Sequence, residues 1–582
     1  MNNYSKLTFR ELLDQSRKLY SQRPALSFIG EKPITYEELY IAARNISGII
    51  TTLGIKKGDK IILLGENSPN WGIAYFAIST IGAVVVPILT DFSEAEVEKI
   101  IKHSEAKLIF VSSKFFSKIK GLDIQQIEAV ILLNNFDLVD SKDFDPQTVT
   151  NYSIPTSKHF FPDDYIFSVP DEDELLSIIY TSGTTGRPKG VMLTHKNILS
   201  NIIATLKIQP VVETDRLLSI LPLPHTYECT IGFLLPMFCG ASVYYLPKPP
   251  TAAVLLPAME IVKPTMILSV PLVIEKIFRN KILPELTSSP LKKRLYHTNF
   301  GRKFMHKIAS KKLQKAFGGH IHFFGVGGAK LSYEVEQFMF EGKFPYSIGY
   351  GMTETSPLLS GCTPRIVRFR CAGFALPGQE MKIHNINPET GEGEIVVKGD
   401  NNMVGYFKEP ELTKDIYTED GWLKTGDLGA MDKDGYVEIK GRLKNMILGP
   451  SGENIYPEEI EEVINSHELV IESIVYELKG KLVARVHLNI EELENKYEHL
   501  RNSAKSINIE EIEKKYENLK NTAKNIQQNF EVYLDDRKEE IRQYVNSKVS
   551  GFSKLNTVVV QIEPFEKTPT QKIKRFLYTN RL

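Results

Sequence analysis

Residues 180–190 read Tyr-Thr-Ser-Gly-Thr-Thr-Gly-Arg-Pro-Lys-Gly, and this stretch limits the possible folds more than any other. The run before it, Leu175-Leu176-Ser177-Ile178-Ile179-Tyr180, is short, apolar and rich in strand formers. It reads as a buried strand. The stretch itself holds three glycines, three threonines, one serine and two cations. Such a loop brings backbone N–H groups, hydroxyls and positive charge to one small volume, which is what a polyphosphate needs. Regular structure resumes at Val191-Met192-Leu193-Thr194-His195. The Walker pattern fails, because Lys189 precedes Gly190 and Val191 follows it. A serine-hydrolase elbow fails too, because Ser182 lies outside a G-x-S-x-G frame. A mobile surface turn is the plain alternative, but so many hydroxyls after a buried strand are costly without a ligand.

The stretch closely resembles the phosphate loop of the adenylate-forming superfamily, which includes acyl-CoA synthetases, luciferases and peptide-synthetase adenylation domains. The rest of the chain tests that resemblance. Its 582 residues suggest about four domain-sized units. Lys plus Arg and Asp plus Glu both number 71, so no global field favours nucleic acid. Cys229, Cys239, Cys362 and Cys371 form no C-x-x-C pair. They fit a reducing cytoplasm, without a zinc site or disulfide framework. The start lacks a signal-peptide apolar core, and no apolar run is long enough to span a membrane.

Residues 7–160 alternate helical and strand patterns, which implies a largely parallel sheet covered by helices. Thr35 and Glu38 make a capping box. Lys60–Leu64, Leu108–Val111 and Ala129–Leu133 read as strands, and an apolar helix begins at 67–71. After the phosphate loop, Leu218–Pro224 leads into His225-Thr226-Tyr227-Glu228. A lone His after a strand is usually structural. The superfamily has a histidine and aromatics at the mouth of its acyl pocket, so the resemblance offers His225 and Tyr227 as gate residues, with Gly325 beside them. The reading leaves both roles open.

His322-Phe323-Phe324-Gly325-Val326-Gly327-Gly328-Ala329-Lys330 is strand then glycine turn, and it is no dinucleotide fingerprint. Its glycines let a flat ring lie against the backbone. Ser347–Thr355 sets an aromatic, a hydroxyl and a carboxylate close together. In the superfamily such residues stack on adenine, bind phosphate and hold Mg²⁺. The resemblance therefore implies nucleotide contacts at Thr181, Ser182, Gly183, Thr184, Thr185, Gly186, Lys189, Gly327, Gly328, Ala329, Tyr350, Gly351 and Thr353. It implies Mg²⁺ on Glu354 and Thr181.

From Gly391 the pattern turns to hairpins, with strands at Gly393–Lys398 and Ala430–Ile439. Asp420–Gly429 resembles the long-chain acyl-CoA synthetase signature, which makes Asp427 the ribose carboxylate. The resemblance gives Arg442 a nucleotide contact and Lys444 the hinge. It gives Ser451, Gly452 and Glu453 the coenzyme A channel. Near the end, Pro569-Thr570-Gln571-Lys572-Ile573-Lys574-Arg575 resembles the segment that carries the catalytic lysine, so Lys572 takes that role. The superfamily usually has Gly where Gln571 stands.

The expected fold is thus α/β. A large N-terminal domain (1–441) contains α/β subdomains and a β-rich part. The hinge is 442–444, and a small mobile α+β domain (445–582) follows. The resemblance covers residues 8–488 and 536–582. Between them lies a 19-residue repeat, 490–508 and 509–527, identical at twelve positions. Its seams have coiled-coil spacing, so 489–535 is read as a helical hairpin insertion. Residues 292–317 hold nine Lys/Arg and no acid. A solvated helix face and a docking surface for anionic lipid or another acidic partner both explain them.

The resemblance implies a long-chain fatty acid–CoA ligase that uses ATP, Mg²⁺ and CoA: acyl-adenylate first, then acyl-CoA, with AMP and pyrophosphate released. Thr181, Glu354 and Lys572 are its catalytic set. Two alternatives stay open, an acyl–acyl carrier protein synthetase and a non-catalytic nucleotide-binding scaffold. The expected setting is cytoplasmic, with peripheral attachment at the inner face of the membrane as an alternative. Segments 292–317 and 489–535 are candidate contacts for membrane or carrier protein. A homodimer stays open, and nucleic acid is not expected.

Overall fold

The computed structural model describes residues 6–139, 149–150, 168–182, 188–449, 453–489, 493, 530–568 and 572–579. The chain divides into two compact units, Met1–Thr425 with Ala430–Glu438, and Gly426–Gly429 with Ile439–Leu582. The fold is α/β, as expected. The four units suggested by length are not separate bodies, because the first unit holds several sheets together.

A nine-stranded sheet carries the phosphate-loop stretch. Its centre is parallel: Lys60–Leu64 lies between Val84–Ile88 and Ala106–Val111, and Ala129–Leu132 follows. All of these except Val84–Ile88 are runs that read as strands, and both faces of such a buried parallel strand must be covered. Ile62, Val86, Ile109 and Ile178 are buried in one cluster. Each such side chain contributes about 1.5–3 kcal/mol on burial. The covering helices start where their caps stand. Thr35 and Glu38 form the capping box of Tyr36–Thr52, and Ser68 caps Pro69–Thr80, accepting from Trp71 N at 3.1 Å.

A seven-stranded sheet runs in the order Tyr346–Ile348, Phe323–Val326, Met266–Ser269, Arg216–Ser219, Ser242–Tyr245, Pro24–Phe28 and Ile34–Thr35. All neighbours except the last pair are parallel. Parallel strands end on one edge, so the segments after Ser219, Ser269, Val326 and Ile348 emerge together. That carboxyl edge is where open α/β sheets hold ligands.

One buried polar group sits behind this edge. Glu228 opens the π-helix Glu228–Leu234 and is 1% exposed. Ser219 Oγ donates to its Oε1 at 2.6 Å. Asn67 Nδ2 donates to Ser219 Oγ at 3.0 Å and also to the Leu221 carbonyl. Asn67 Oδ1 accepts from Leu223 N at 2.8 Å. The network ties the end of the strand to the turn that leads to His225.

The second unit has a three-stranded sheet. Val470–Leu478 and Lys481–Leu488 form a hairpin, and Thr557–Gln561 lies parallel to the latter. Helices Pro457–Asn465 and Phe530–Asn546 supply Ile460, Ile464, Ile541 and Val545 to its core. Leu493 is buried in the same core. The expected end of the insertion at 535 falls inside the helix Phe530–Asn546, which starts earlier because Tyr533 is also a core residue. The repeat itself lies outside the described residues, apart from Leu493. Among the described residues no helix is long and apolar enough to cross a membrane.

Burial pushes the Glu228 carboxyl from 4.5 up to about 8. Between those values the folded chain holds a proton that the unfolded chain releases, so stability falls as pH rises. The slope from this group is at most about 1.4 kcal/mol per pH unit. Glu228→Gln keeps the shape and removes the titration. Its unfolding free energy should therefore decline less steeply with pH than that of the wild type, measured by denaturant melts across this window. Equal slopes would refute the buried acid.

Candidate active site

The phosphate-loop stretch is a β-hairpin. Leu175–Ser182 pairs antiparallel with Pro188–Thr194, with Thr181 opposite Lys189 and Tyr180 opposite Gly190. Regular structure therefore resumes at Pro188 rather than at Val191. Backbone pairing runs through Ser182 opposite Pro188. Gly183, Thr184, Thr185 and Gly186 lie outside the described residues, and of Ser182 only the backbone is described.

The outer neighbour of Pro188–Thr194 is Gly405–Tyr406, with Tyr406 opposite Val191. Tyr406 was not among the expected site residues, and it links two of them, Glu354 and Lys189. Its hydroxyl donates to Glu354 Oε1 at 2.8 Å. Lys189 Nζ lies 5.3 Å from its ring centroid, a cation–π contact. Met403 N donates to the Glu354 carbonyl at 2.8 Å. Glu354 sits in the 3-10 turn Thr353–Thr355, so backbone and side chain are both held from the 403–406 segment. The one sequence signal was the Gly405-Tyr406 pair, which means little before its strand partner is known.

Thr353 also meets the 225–228 segment: Thr226 Oγ1 donates to Thr353 Oγ1 at 3.3 Å. Tyr350 and Gly351 form a short strand just before. A Cβ at Gly351 would collide with the Pro357 carbonyl, so only glycine lets the chain double back here.

Tyr227 lies close against the glycine strand. A Cβ on Gly325 would sit 2.9 Å from its hydroxyl, and one on Gly327 would sit 3.2 Å from its ring. The absent side chains make room for the ring. Burial pushes its phenol well above the ordinary tyrosine range, so it stays neutral. His225 Nδ1 accepts from Tyr227 N at 3.3 Å, which orients the turn. Gly328 and Ala329 are exposed at the sheet edge. Behind Tyr227 and Gly325 is a cavity of about 40 Å³, walled by Ile231, Leu235, Met266, Leu268, Phe323 and Leu376 among others. Among the described residues no charged side chain lines it.

The second unit holds the remaining expected residues. Asp427 lies in the strand Leu423–Met431 and is 6% exposed. Arg442 Nε meets its Oδ1 at 3.0 Å. The structure thus joins these two as an ion pair, which sequence did not reveal. Lys444 follows in an exposed 3-10 turn, Leu443–Asn445. The expected turn into a helix proves to be a small hairpin first, Ile447–Leu448 against Asn454–Ile455. Glu453 closes it, its carbonyl accepting from Gly449 N at 2.8 Å. Ser451 and Gly452 lie outside the described residues.

Lys572 stands on the exposed return arm of a C-terminal turn, where Thr568 N donates to its carbonyl at 2.7 Å and its own N donates to Thr568 Oγ1 at 3.2 Å. Arg575 anchors that arm. Its guanidinium pairs with Glu461 on the helix Pro457–Asn465 and donates to the Val475 carbonyl. Glu461 Oε1 also accepts from Val475 N at 2.6 Å. Burial outweighs these partners and lifts the Glu461 carboxyl to about 6.

With this geometry in hand, comparison with known proteins defines the class. Residues 4–407 match the family model of the AMP-binding enzymes, and the chain belongs to that family. It is 29% identical over 502 residues to long chain acyl-CoA synthetase 6, peroxisomal, of Arabidopsis thaliana, covering 80% of this chain and 70% of that one. It is 26% identical over 576 residues to 4-coumarate–CoA ligase of Vanilla planifolia, covering 96% and 90%. Among solved structures, o-succinylbenzoate coenzyme A synthetase from Bacillus subtilis, in complex with ATP and magnesium ion, superposes with a TM-score of 0.71 at 22% identity, covering 97% and 98%. At that identity the likeness concerns the fold. Family and relatives together define an adenylate-forming CoA ligase.

Arg575→Ala strips Glu461 of its charged partner. Losing one member of a buried ion pair costs about 3–5 kcal/mol. The second unit should melt well below the wild type by calorimetry, and Arg575→Lys should recover only part. An unchanged melting profile would show that the pair does not hold the arm.

Proposed function

We propose that the chain is an AMP-forming long-chain fatty acid–CoA ligase. The observation that carries the acid's identity is the cavity behind Tyr227 and Gly325. It lies behind Tyr227 and Gly325 and its described lining carries no charge, so it suits a hydrocarbon tail. At about 40 Å³ it does not hold such a tail as it stands. Entry requires Tyr227 to swing away from Gly325, which is the gate role read from the sequence.

ATP binds at the phosphate-loop hairpin and the glycine turn. Lys189 and the hydroxyls of Thr181 and Thr353 face its phosphates, Tyr350 stacks on adenine, and Asp427 with Arg442 takes the ribose. Glu354 and Thr181 would hold Mg²⁺, since a carboxylate and a hydroxyl are hard oxygen donors of the kind it prefers. Bound there, Mg²⁺ neutralises charge on the phosphates. Tyr406 keeps the Glu354 carboxylate aimed, and Lys189 answers the negative charge beside it. The acid's carboxylate attacks the α-phosphate, and pyrophosphate leaves. Lys572 stabilises the charge that develops in that step. The CoA thiol then attacks the acyl carbon and expels AMP. Ser451, Gly452 and Glu453 line the thiol's approach, and rotation about Lys444 exchanges the two half-reactions.

A hydroxycinnamate is the second reading of the acid, favoured by the likeness to 4-coumarate–CoA ligase. ATP–pyrophosphate exchange against fatty acids of graded length and against 4-coumarate separates the two. Exchange should rise with chain length and release AMP; preference for 4-coumarate would transfer the assignment, and ADP as product would end it.

Lys572→Ala should abolish acyl-adenylate formation yet leave thioester formation from supplied acyl-adenylate nearly intact. Loss of both half-reactions alike would contradict the role.

Tyr406→Phe keeps the ring under Lys189 and removes the donor to Glu354. Hydrogen bonds to charged groups contribute about 1.5–3 kcal/mol, so half-saturating Mg²⁺ should rise about tenfold or more. An unchanged Mg²⁺ dependence would remove Tyr406 from the site.

A further inference from the structure

The basic segment 292–317 folds into parts of two helices, Pro290–Tyr296 and Asn299–Ala316. The longer one is fastened by its inner face. Met305, His306, Ala309, Ser310 and Leu313 are buried. Arg302 pairs with Glu341 at 2.9 Å and His306 meets the same carboxylate at 2.8 Å. Burial holds the imidazole below its ordinary range despite that carboxylate.

The outer face is of a different kind. Phe300 is 85% exposed, Phe304 55% and Ile308 44%. Their spacing of four residues places them in one stripe. Lys303, Lys307, Lys311 and Lys315 are exposed on the same side, so cations and apolar side chains alternate over one surface. Leu291 on the preceding helix adds a side chain that is 77% exposed. A solvated face explains lysines but not unshielded phenylalanines among them, and the segment holds no acid to offset nine cations.

We propose that this outer face docks the protein on an anionic lipid bilayer. A bilayer surface offers both things the face asks for: negative headgroups for the lysines, and an apolar layer just beneath for Phe300, Phe304 and Ile308. The lysine stems extend alongside the apolar stripe and carry their charge up to the headgroups. The charge is spread along the exposed face of a helix of 18 residues, which fits an extended charged plane better than one acidic site on a protein. The inference stands apart from which acid the active site takes.

The test uses the full chain and sedimentation with phosphatidylcholine vesicles, with and without phosphatidylglycerol at about one third of the lipid. Binding should need the anionic lipid and should weaken with salt. The variant K303E/K307E/K311E should bind at least about 100-fold more weakly, since each cation near the surface contributes about fivefold. F300S/F304S should bind at least about tenfold more weakly at the same charge. Both variants change exposed positions only, and an unchanged melting temperature verifies that they fold. Absence of binding to anionic vesicles overturns the proposal, as does binding that either variant leaves unchanged. Capture by an acidic polypeptide in place of vesicles, lost in the same variants, overturns it in favour of a protein partner.

Discussion

The antiparallel pairing of Leu175–Ser182 with Pro188–Thr194 is the constraint on which the site depends. It fixes Thr181 opposite Lys189 and Ser182 opposite Pro188. Backbone groups inside a sheet cannot go unpaired cheaply. The ladder therefore holds both arms in register through Ser182 and Pro188. The next strand, Gly405–Tyr406, is registered on the same ladder. Through it the ladder reaches Glu354, more than 160 residues away from Thr181 in sequence. A cation, an aromatic ring and a carboxylate are thus set by main-chain register instead of by their own flexible torsions.

Much of the fold was legible in the sequence, for an identifiable reason. Parallel strands buried on both faces must be apolar throughout, so Lys60–Leu64 and Leu108–Val111 announce themselves. Helix starts at Thr35 and Ser68 were legible because capping is a local interaction. The hairpin nature of residues 180–190 was not legible. Glycine and threonine content signals a loop, while the ladder that continues through Thr181 and Lys189 depends on a partner strand that composition does not name. Tyr406 escaped for the same reason: its role exists only through pairing with Val191. The Asp427–Arg442 ion pair joins two residues that were each identified through resemblance, but distance in space was not readable from either motif.

The gate segment shows how packing adds what a motif lacks. In the sequence, His225 and Tyr227 were residue types after a strand that only a resemblance offered as gate residues. The structure sets Tyr227 against two glycines that have no Cβ to repel it, and sets Glu228, one residue on, in a buried network with Ser219 and Asn67. A protonated acid there can accept and donate without bringing charge into the interior. The turn is consequently held from below by polar contacts while its upper ring rests on bare backbone.

The C-terminal arm solves a different problem. Its sequence is polar, so hydrophobic burial alone cannot register it. Phe565 and Tyr578 meet edge to face with centroids 5.0 Å apart, and Ile573 packs on the cluster of Ile474, Tyr476 and Val483. These contacts hold the arm but tolerate sliding, because apolar contact is non-directional. Arg575 supplies the direction. A guanidinium offers donors in a fixed fork, and here they reach both Glu461 and the Val475 carbonyl. Glu461 in turn accepts from Val475 N, so arm, strand and helix share one set of hydrogen bonds. Desolvating that pair is costly, and an apolar pair of equal volume would hold the arm at lower cost but with less definite register. Lys572, three residues before Arg575, inherits that register: one step of slippage would turn its side chain to the opposite face.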